Sequence, residues 1–146
     1  MSTTLTGRVV SLQVCPGYRK PMQPGSVALA VENLGLRGDR HALKDSARQI
    51  LLVENEILKE LSLLPGVVKE NITTEGIDLM ALQRCQRIQI GNEVVLEITQ
   101  ACSPCSRMEE IRPGLMQQLA RRRGMLVRVL KGGTLMLHDS IRVISE

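Results

Sequence analysis

Arg87-Ile88-Gln89-Ile90-Gly91-Asn92-Glu93-Val94-Val95-Leu96-Glu97-Ile98-Thr99 is the stretch that decides the fold. Ile88 and Ile90 alternate with polar neighbours, Gly91-Asn92 turns the chain, and Val94, Leu96 and Ile98 alternate with Val95, Glu97 and Thr99. Successive side chains of a strand point to opposite faces, so a period of two on both sides of a Gly-Asn pair predicts a hairpin. Upstream, residues 5–14 are β-branched and apolar and stop at Cys15-Pro16-Gly17, which predicts another strand ended by a turn. Residues 18–26, with Pro21, Pro24 and Gly25, read as loop, and Val27 to Val31 as a strand. Asn33 to Leu43 is a Gly- and charge-rich loop of the kind that carries sites more often than cores.

Arg48 to Val53 reads as a buried strand leading into a helix at about Glu54–Leu64, where Ile57, Leu58, Leu61 and Leu64 share a face and Pro65-Gly66 ends it. Val67 to Thr74 is strand-like, and Ile77 to Leu82 suits a helical turn. Pro113 opens a predicted helix through Arg123 that Gly124 stops. Met125 to Leu130 and Ile141 to Ile144, with a Gly132-Gly133 turn between, supply the last strands. Strands interrupted by two or three short helices predict a β-rich α+β domain, a closed or partly closed β-barrel. No repeat, linker or nucleotide-binding glycine fingerprint is present.

The 146 residues suit one domain, so 1–146 is read as a single unit. With one Tyr and no Phe or Trp, the core must be Leu, Ile, Val and Met, and the aromatic platforms on which single-stranded nucleic acids stack are missing. The net charge of +4 is spread along the chain apart from Arg121-Arg122-Arg123 and Arg37/Arg40, a modest excess that a small anionic ligand explains as well as a polyanion does. No apolar run approaches the roughly 18–20 residues of a membrane span, and the N-terminus lacks a basic-then-apolar leader pattern. A cytoplasmic location without membrane attachment is expected, in which cysteines 15, 85, 102 and 105 stay reduced.

Cys102-Ser103-Pro104-Cys105 is the first candidate site. Spacing alone leaves a chelate, a dithiol and a pair of packed thiols open. Zinc needs two further ligands, and Cys15, Cys85, His41 and His138 form no second paired spacing. A thioredoxin-type dithiol needs a βαβ context that is missing, while soft thiolate ligation of a redox metal stays open. Gly38-Asp39-Arg40-His41 alone reads as a turn in which Asp caps a neighbour, and Arg121-Arg122-Arg123 as a complement to a helix dipole. Asn71 sits in an otherwise apolar segment, where a buried amide needs partners.

Together, Gly38-Asp39-Arg40-His41, Arg48-Gln49-Ile50-Leu51-Leu52, Pro65-Gly66 with Glu70-Asn71-Ile72, Ile90-Gly91, Pro104-Cys105, Gly124, Arg128-Val129-Leu130-Lys131-Gly132-Gly133 and Asp139 resemble the MOSC domain, named after the C-terminal part of molybdenum-cofactor sulfurase. The resemblance runs in order over roughly residues 5–145. It implies a MOSC-type β-barrel that binds the molybdenum cofactor, molybdopterin, or carries activated sulfur on one cysteine, here Cys105. Ala101-Cys102-Ser103-Pro104-Cys105 is also similar to the Ala-Cys-Ser-x-Cys of the mitochondrial amidoxime-reducing enzymes, whose second Cys ligates molybdenum. A thiolate is both a soft donor for that metal and the nucleophile that holds a persulfide, and Arg107, Arg48 or Arg40 would supply the positive field it needs.

Lys69 and Asn71 match an Arg-x-Asn strand that those enzymes place at the cofactor, with Lys here in place of Arg. Ser103 would donate a hydroxyl to the cofactor; Arg48, Arg40 and His41 rank behind, His41 also as a proton donor. The chain departs from the family at His138 and Cys85, where glycine is common, and the N-terminal barrel domain of the amidoxime-reducing enzymes has no counterpart in it. A partner chain or a homodimer would compensate. The resemblance therefore implies reduction of N-hydroxylated compounds with electrons from a separate donor, or delivery of cofactor or sulfur to a molybdoenzyme partner. A cofactor-free structural or protein-interaction barrel is the alternative.

Overall fold

The computed structural model describes residues 5–144. Its strands are β1 (Thr6–Val14), β2 (Gln23–Gly25), β3 (Val27–Val31), β4 (Gly35–Leu36), β5 (Ile50–Glu54), β6 (Ile72–Glu75), β7 (Arg87–Ile90), β8 (Val94–Ala101), β9 (Met125–Lys131), β10 (Gly133–Met136) and β11 (Ser140–Ile144). Three short helices join them: α1 (Asn55–Glu60), α2 (Met108–Ile111) and α3 (Leu115–Gln118), with a 3-10 turn at Leu79–Ala81. The order β11-β7-β8-β9-β5-β6-β1 closes through a β1–β11 pairing, so seven strands form the expected barrel. β2 adds to the end of β1, and β10-β3-β4 form a small second sheet.

The hairpin falls where its period of two puts it, with Ile88 opposite Leu96 and Ile90 opposite Val94. All four of those side chains are fully buried, because alternation sends them to the barrel interior. β5 has no polar alternation since it is buried on both faces. Ile50 and Leu52 enter the barrel interior, while Leu51 and Val53 face a second apolar cluster with Leu58, Leu61, Val68, Cys102, Met108, Leu115, Leu119 and Leu126. Burial of a Leu in either core contributes about 1.5–3 kcal/mol.

β5 and β6 are the parallel pair, which requires a crossover, and α1 with the turns after it provides one. The helix is shorter than the apolar face from Ile57 to Leu64 suggests: Ser62 takes a left-handed φ of 57° and the chain leaves the helix after Glu60. The long helix expected from Pro113 to Arg123 is likewise cut down. Gly114 at φ 86° separates α2 from α3, and Arg121 at φ 67° lies within the turn that follows α3. Gly132-Gly133 is not the turn its composition suggests: Gly133 begins β10 and pairs with Ala30 of β3. The strand-like stretch from Val67 is turn up to Asn71, with β6 proper starting at Ile72.

Candidate functional site

Between the end of β1, the loop after β4, the entry to β6 and the bend from β8 into α2 lies a cavity of about 400 Å³. Its floor is the edge of the second apolar cluster, Leu51, Leu126, Cys102 and Met108. Its walls carry seven cations, Arg19, Lys20, Arg40, Arg48, Lys69, Arg107 and Arg123, against one carboxylate, Glu110. The modest net charge of the whole chain is thus concentrated at one place, which suits an anionic ligand. The volume lies in the range of roughly 300–1,000 Å³ that small-molecule sites occupy.

The two thiols of Cys102-Ser103-Pro104-Cys105 are unequal. The Cys102 N–H donates to Gly124 O at 2.9 Å, tying the bend to the start of β9, and the thiol is buried in the second cluster. Cys105 is exposed and opens into the cavity, and its carbonyl accepts the N–H of Met108 at 3.0 Å as the chain turns into α2. Both cysteines line the cavity, as does the buried Cys15. Among the described residues no cluster of three or more His, Cys, Asp and Glu side chains is placed to hold a metal ion.

Lys69, Arg48, Arg40 and His41 all line the cavity with exposed side chains. Asn71 lines it too, but its amide is spent inside the protein. Asn71 Oδ1 accepts the Leu51 N–H at 3.0 Å, and Nδ2 donates to Gln13 O at 3.3 Å and to Asp39 Oδ1 at 3.1 Å. The side chain therefore clamps β5, β1 and the loop after β4 together at the cavity's inner end. Ser103 is exposed on the bend and does not line the cavity.

Asp39 is the other half of the clamp. Its carboxylate also accepts the N–H groups of Cys15 at 2.7 Å and His41 at 3.1 Å, and His41 Nδ1 stands 3.7 Å away. Burial pushes this carboxyl up, but the His41 side chain and the two backbone donors outweigh it and hold it below the ordinary carboxylate range. The buried Asp39 accordingly anchors an otherwise exposed turn, Gly38-Asp39-Arg40-His41, that presents Arg40 and His41 to the cavity.

Sequence reasoning missed three features of the site. Tyr18, the one aromatic residue of the chain, gathers Arg40, Arg107 and Arg19 over its ring, at 4.9, 5.1 and 5.6 Å from its centroid. Glu110 pairs with Arg19 at 3.3 Å and is the lone acidic group of the wall. Arg123 is not a helix-dipole partner: it is 5% exposed, lines the cavity and donates through Nη2 to Val68 O. Within the run Arg121-Arg122-Arg123 nothing in the sequence marks the third residue out.

A family model described as the MOSC domain matches residues 38–142. Solved structures share the fold. The YuaD protein of Bacillus subtilis aligns over 97% of this chain and 97% of its own, with 20% identity and a TM-score of 0.80. YiiM from Geobacillus stearothermophilus aligns over 94% of this chain and 75% of its own, with 16% identity and a TM-score of 0.76. YiiM from Escherichia coli aligns over 95% and 70%, with 18% identity and a TM-score of 0.67. No curated protein matches the chain in sequence. No helix among the described residues is long and apolar enough to cross a membrane.

Proposed function

The chain belongs to the MOSC domain family, and from that premise we propose that it binds the molybdenum cofactor in the cation-lined cavity, with Cys105 as the molybdenum ligand or the carrier of a persulfide. The observation that carries the reading is the exposed Cys105 thiol opening into a cavity with seven cations and one carboxylate on its walls. The residues fit such a group. An organic dithiolene brings its own sulfur ligands to the metal, so one protein thiolate completes the donor set where no protein cluster is available. Lys69, Arg48 and Arg40 would hold anionic oxygens, Lys as a point charge and Arg with its fork. His41, exposed at the wall, would hand a proton to a bound substrate. Asn71 serves by holding the cavity's shape rather than by touching the ligand.

The bound group would supply two-electron redox chemistry. Two uses follow: reduction of N-hydroxylated compounds with an external electron donor, or delivery of cofactor or sulfur to another enzyme. The open side of the cavity, walled by cation side chains, would be closed by that partner or by a second copy of this chain. Protein purified from a cofactor-competent host is expected to carry molybdenum and pterin in equal amounts. A Cys105 persulfide mass without molybdenum assigns sulfur carriage instead. Turnover of an N-hydroxylated purine with a chemical electron donor separates reductase from carrier. Neither pterin, molybdenum nor persulfide on the protein would sink the reading and leave a cofactor-free barrel.

A further inference from the structure

We infer that Arg123 is the anion-receiving residue on the inner wall of the Cys105 cavity, its Nη1 donor held there for an oxyanion of a small molecule bound beside the thiol. Three observations meet at this side chain. It is 5% exposed, so its charge has been taken out of water almost completely. Nη2 donates to Val68 O, but Nη1 is buried with no partner in the protein. Glu70 attracts it only at longer range, and its own Oε1 is likewise unpartnered.

A buried guanidinium with an unmatched donor is costly, and like-charged neighbours make it costlier. Arg48 lies close enough to repel it, while Cys102 and Cys105 would attract it only as thiolates. An oxyanion between Nη1 and Cys105 would satisfy the donor, offset the cationic wall and place a ligand oxygen next to the sulfur. Arg121, two residues earlier in the same run, is exposed and does not line the cavity. The competing arrangement is a buried water bridging Nη1 to Glu70, which would make Arg123 purely structural.

The inference rests on the cavity being a small-anion site, and does not require molybdenum. Two alkylating reagents separate it from the structural alternative. Each reacts with the thiolate by forming a carbon–sulfur bond and expelling iodide; iodoacetate carries a carboxylate where iodoacetamide is neutral. Because both consume the same thiolate, the ratio of their rates reports anion attraction and cancels any change in thiol ionisation. Cys85, an exposed thiol outside the cavity, is the internal reference in the same mass spectra.

In cofactor-free protein the iodoacetate-to-iodoacetamide ratio at Cys105 is expected to fall at least about tenfold in Arg123→Gln, the scale of a lost charge-assisted hydrogen bond. Arg121→Gln, which removes the same formal charge, is expected to leave it unchanged, and Cys85 to be unaffected in both. Inorganic phosphate is expected to slow iodoacetate at Cys105 in the wild type and not in Arg123→Gln. Should Arg123→Gln fail to fold, phosphate protection of the wild type and an intermediate ratio in Arg123→Lys decide the matter. A ratio unchanged in Arg123→Gln, an equal fall in Arg121→Gln, or no protection by phosphate overturns the assignment. A lost ratio in a protein that never carries molybdenum keeps the anion site and sinks the cofactor reading; an unchanged ratio with stoichiometric molybdenum does the reverse.

Discussion

Replacing Asn71 with alanine strips out the clamp that links β5, β1 and the Asp39 loop. The Leu51 N–H and the Gln13 carbonyl lose their side-chain partner, and Asp39 loses one of its donors. All lie in buried surroundings, and each group left unmatched costs about 1–3 kcal/mol, so the loss should be about 4 kcal/mol. That is a large part of the roughly 5–15 kcal/mol by which a domain is stable. At this size it corresponds to a fall in Tm of about 12 °C. Urea unfolding followed by far-UV circular dichroism measures it without any ligand. If Asn71 acted only by binding cofactor, the variant would lose cofactor with its Tm intact; a loss below about 1 kcal/mol refutes the clamp.

Gly124→Ala should cost about 3 kcal/mol, because the backbone sits at φ 133° and an added Cβ would lie 2.4 Å from Leu52 O; the urea midpoint reads this. Glu75 accepts hydrogen bonds from Asn55 and Arg8 and pairs with Lys59, and these partners, Asn55 foremost, pull its carboxyl from 4.5 down to about 2. A depressed folded pKa means stability present above the unfolded value and lost as pH falls through the folded one, here from about 4.5 to about 2. Glu75→Gln should therefore flatten the acid side of a stability-against-pH curve over that window, and an unchanged slope would contradict the pairing. Tyr18→Ala should weaken binding of an anionic cofactor several-fold by releasing Arg40 and Arg107, while Tyr18→Phe keeps the ring and the affinity; equal losses in a titration would rule out a role for the ring face.

The barrel was legible because its strands follow simple periods: two in the hairpin from Arg87 to Ile98, and an unbroken apolar run in β5, buried on both faces. What misled is local chemistry overruled by tertiary pairing. Gly132-Gly133 has turn composition, yet the missing side chains let the backbone approach β3 closely: a Cβ on Gly132 would stand 2.6 Å from Ala30 O. Asn71 was conspicuous as an amide among apolar residues, but only the fold reveals that its partners are Leu51, Gln13 and Asp39. Arg121, Arg122 and Arg123 are indistinguishable as a run; the left-handed turn at Arg121 sends only the third inward. The cationic cavity was legible only in part: Lys69, Arg48, Arg40 and Arg107 were named through the resemblance, while Arg19, Lys20 and Arg123 come from segments that only the fold brings together.

The central claim is that Cys105 opens a cofactor site in this cavity. The most direct measurement is molybdenum and pterin per chain in the wild type and in Cys105→Ala, both purified from a cofactor-competent host and matched in Tm. Near-equal molybdenum and pterin are expected on the wild type, with the metal lost from the variant. Molybdenum retained at wild-type stoichiometry in Cys105→Ala would contradict it.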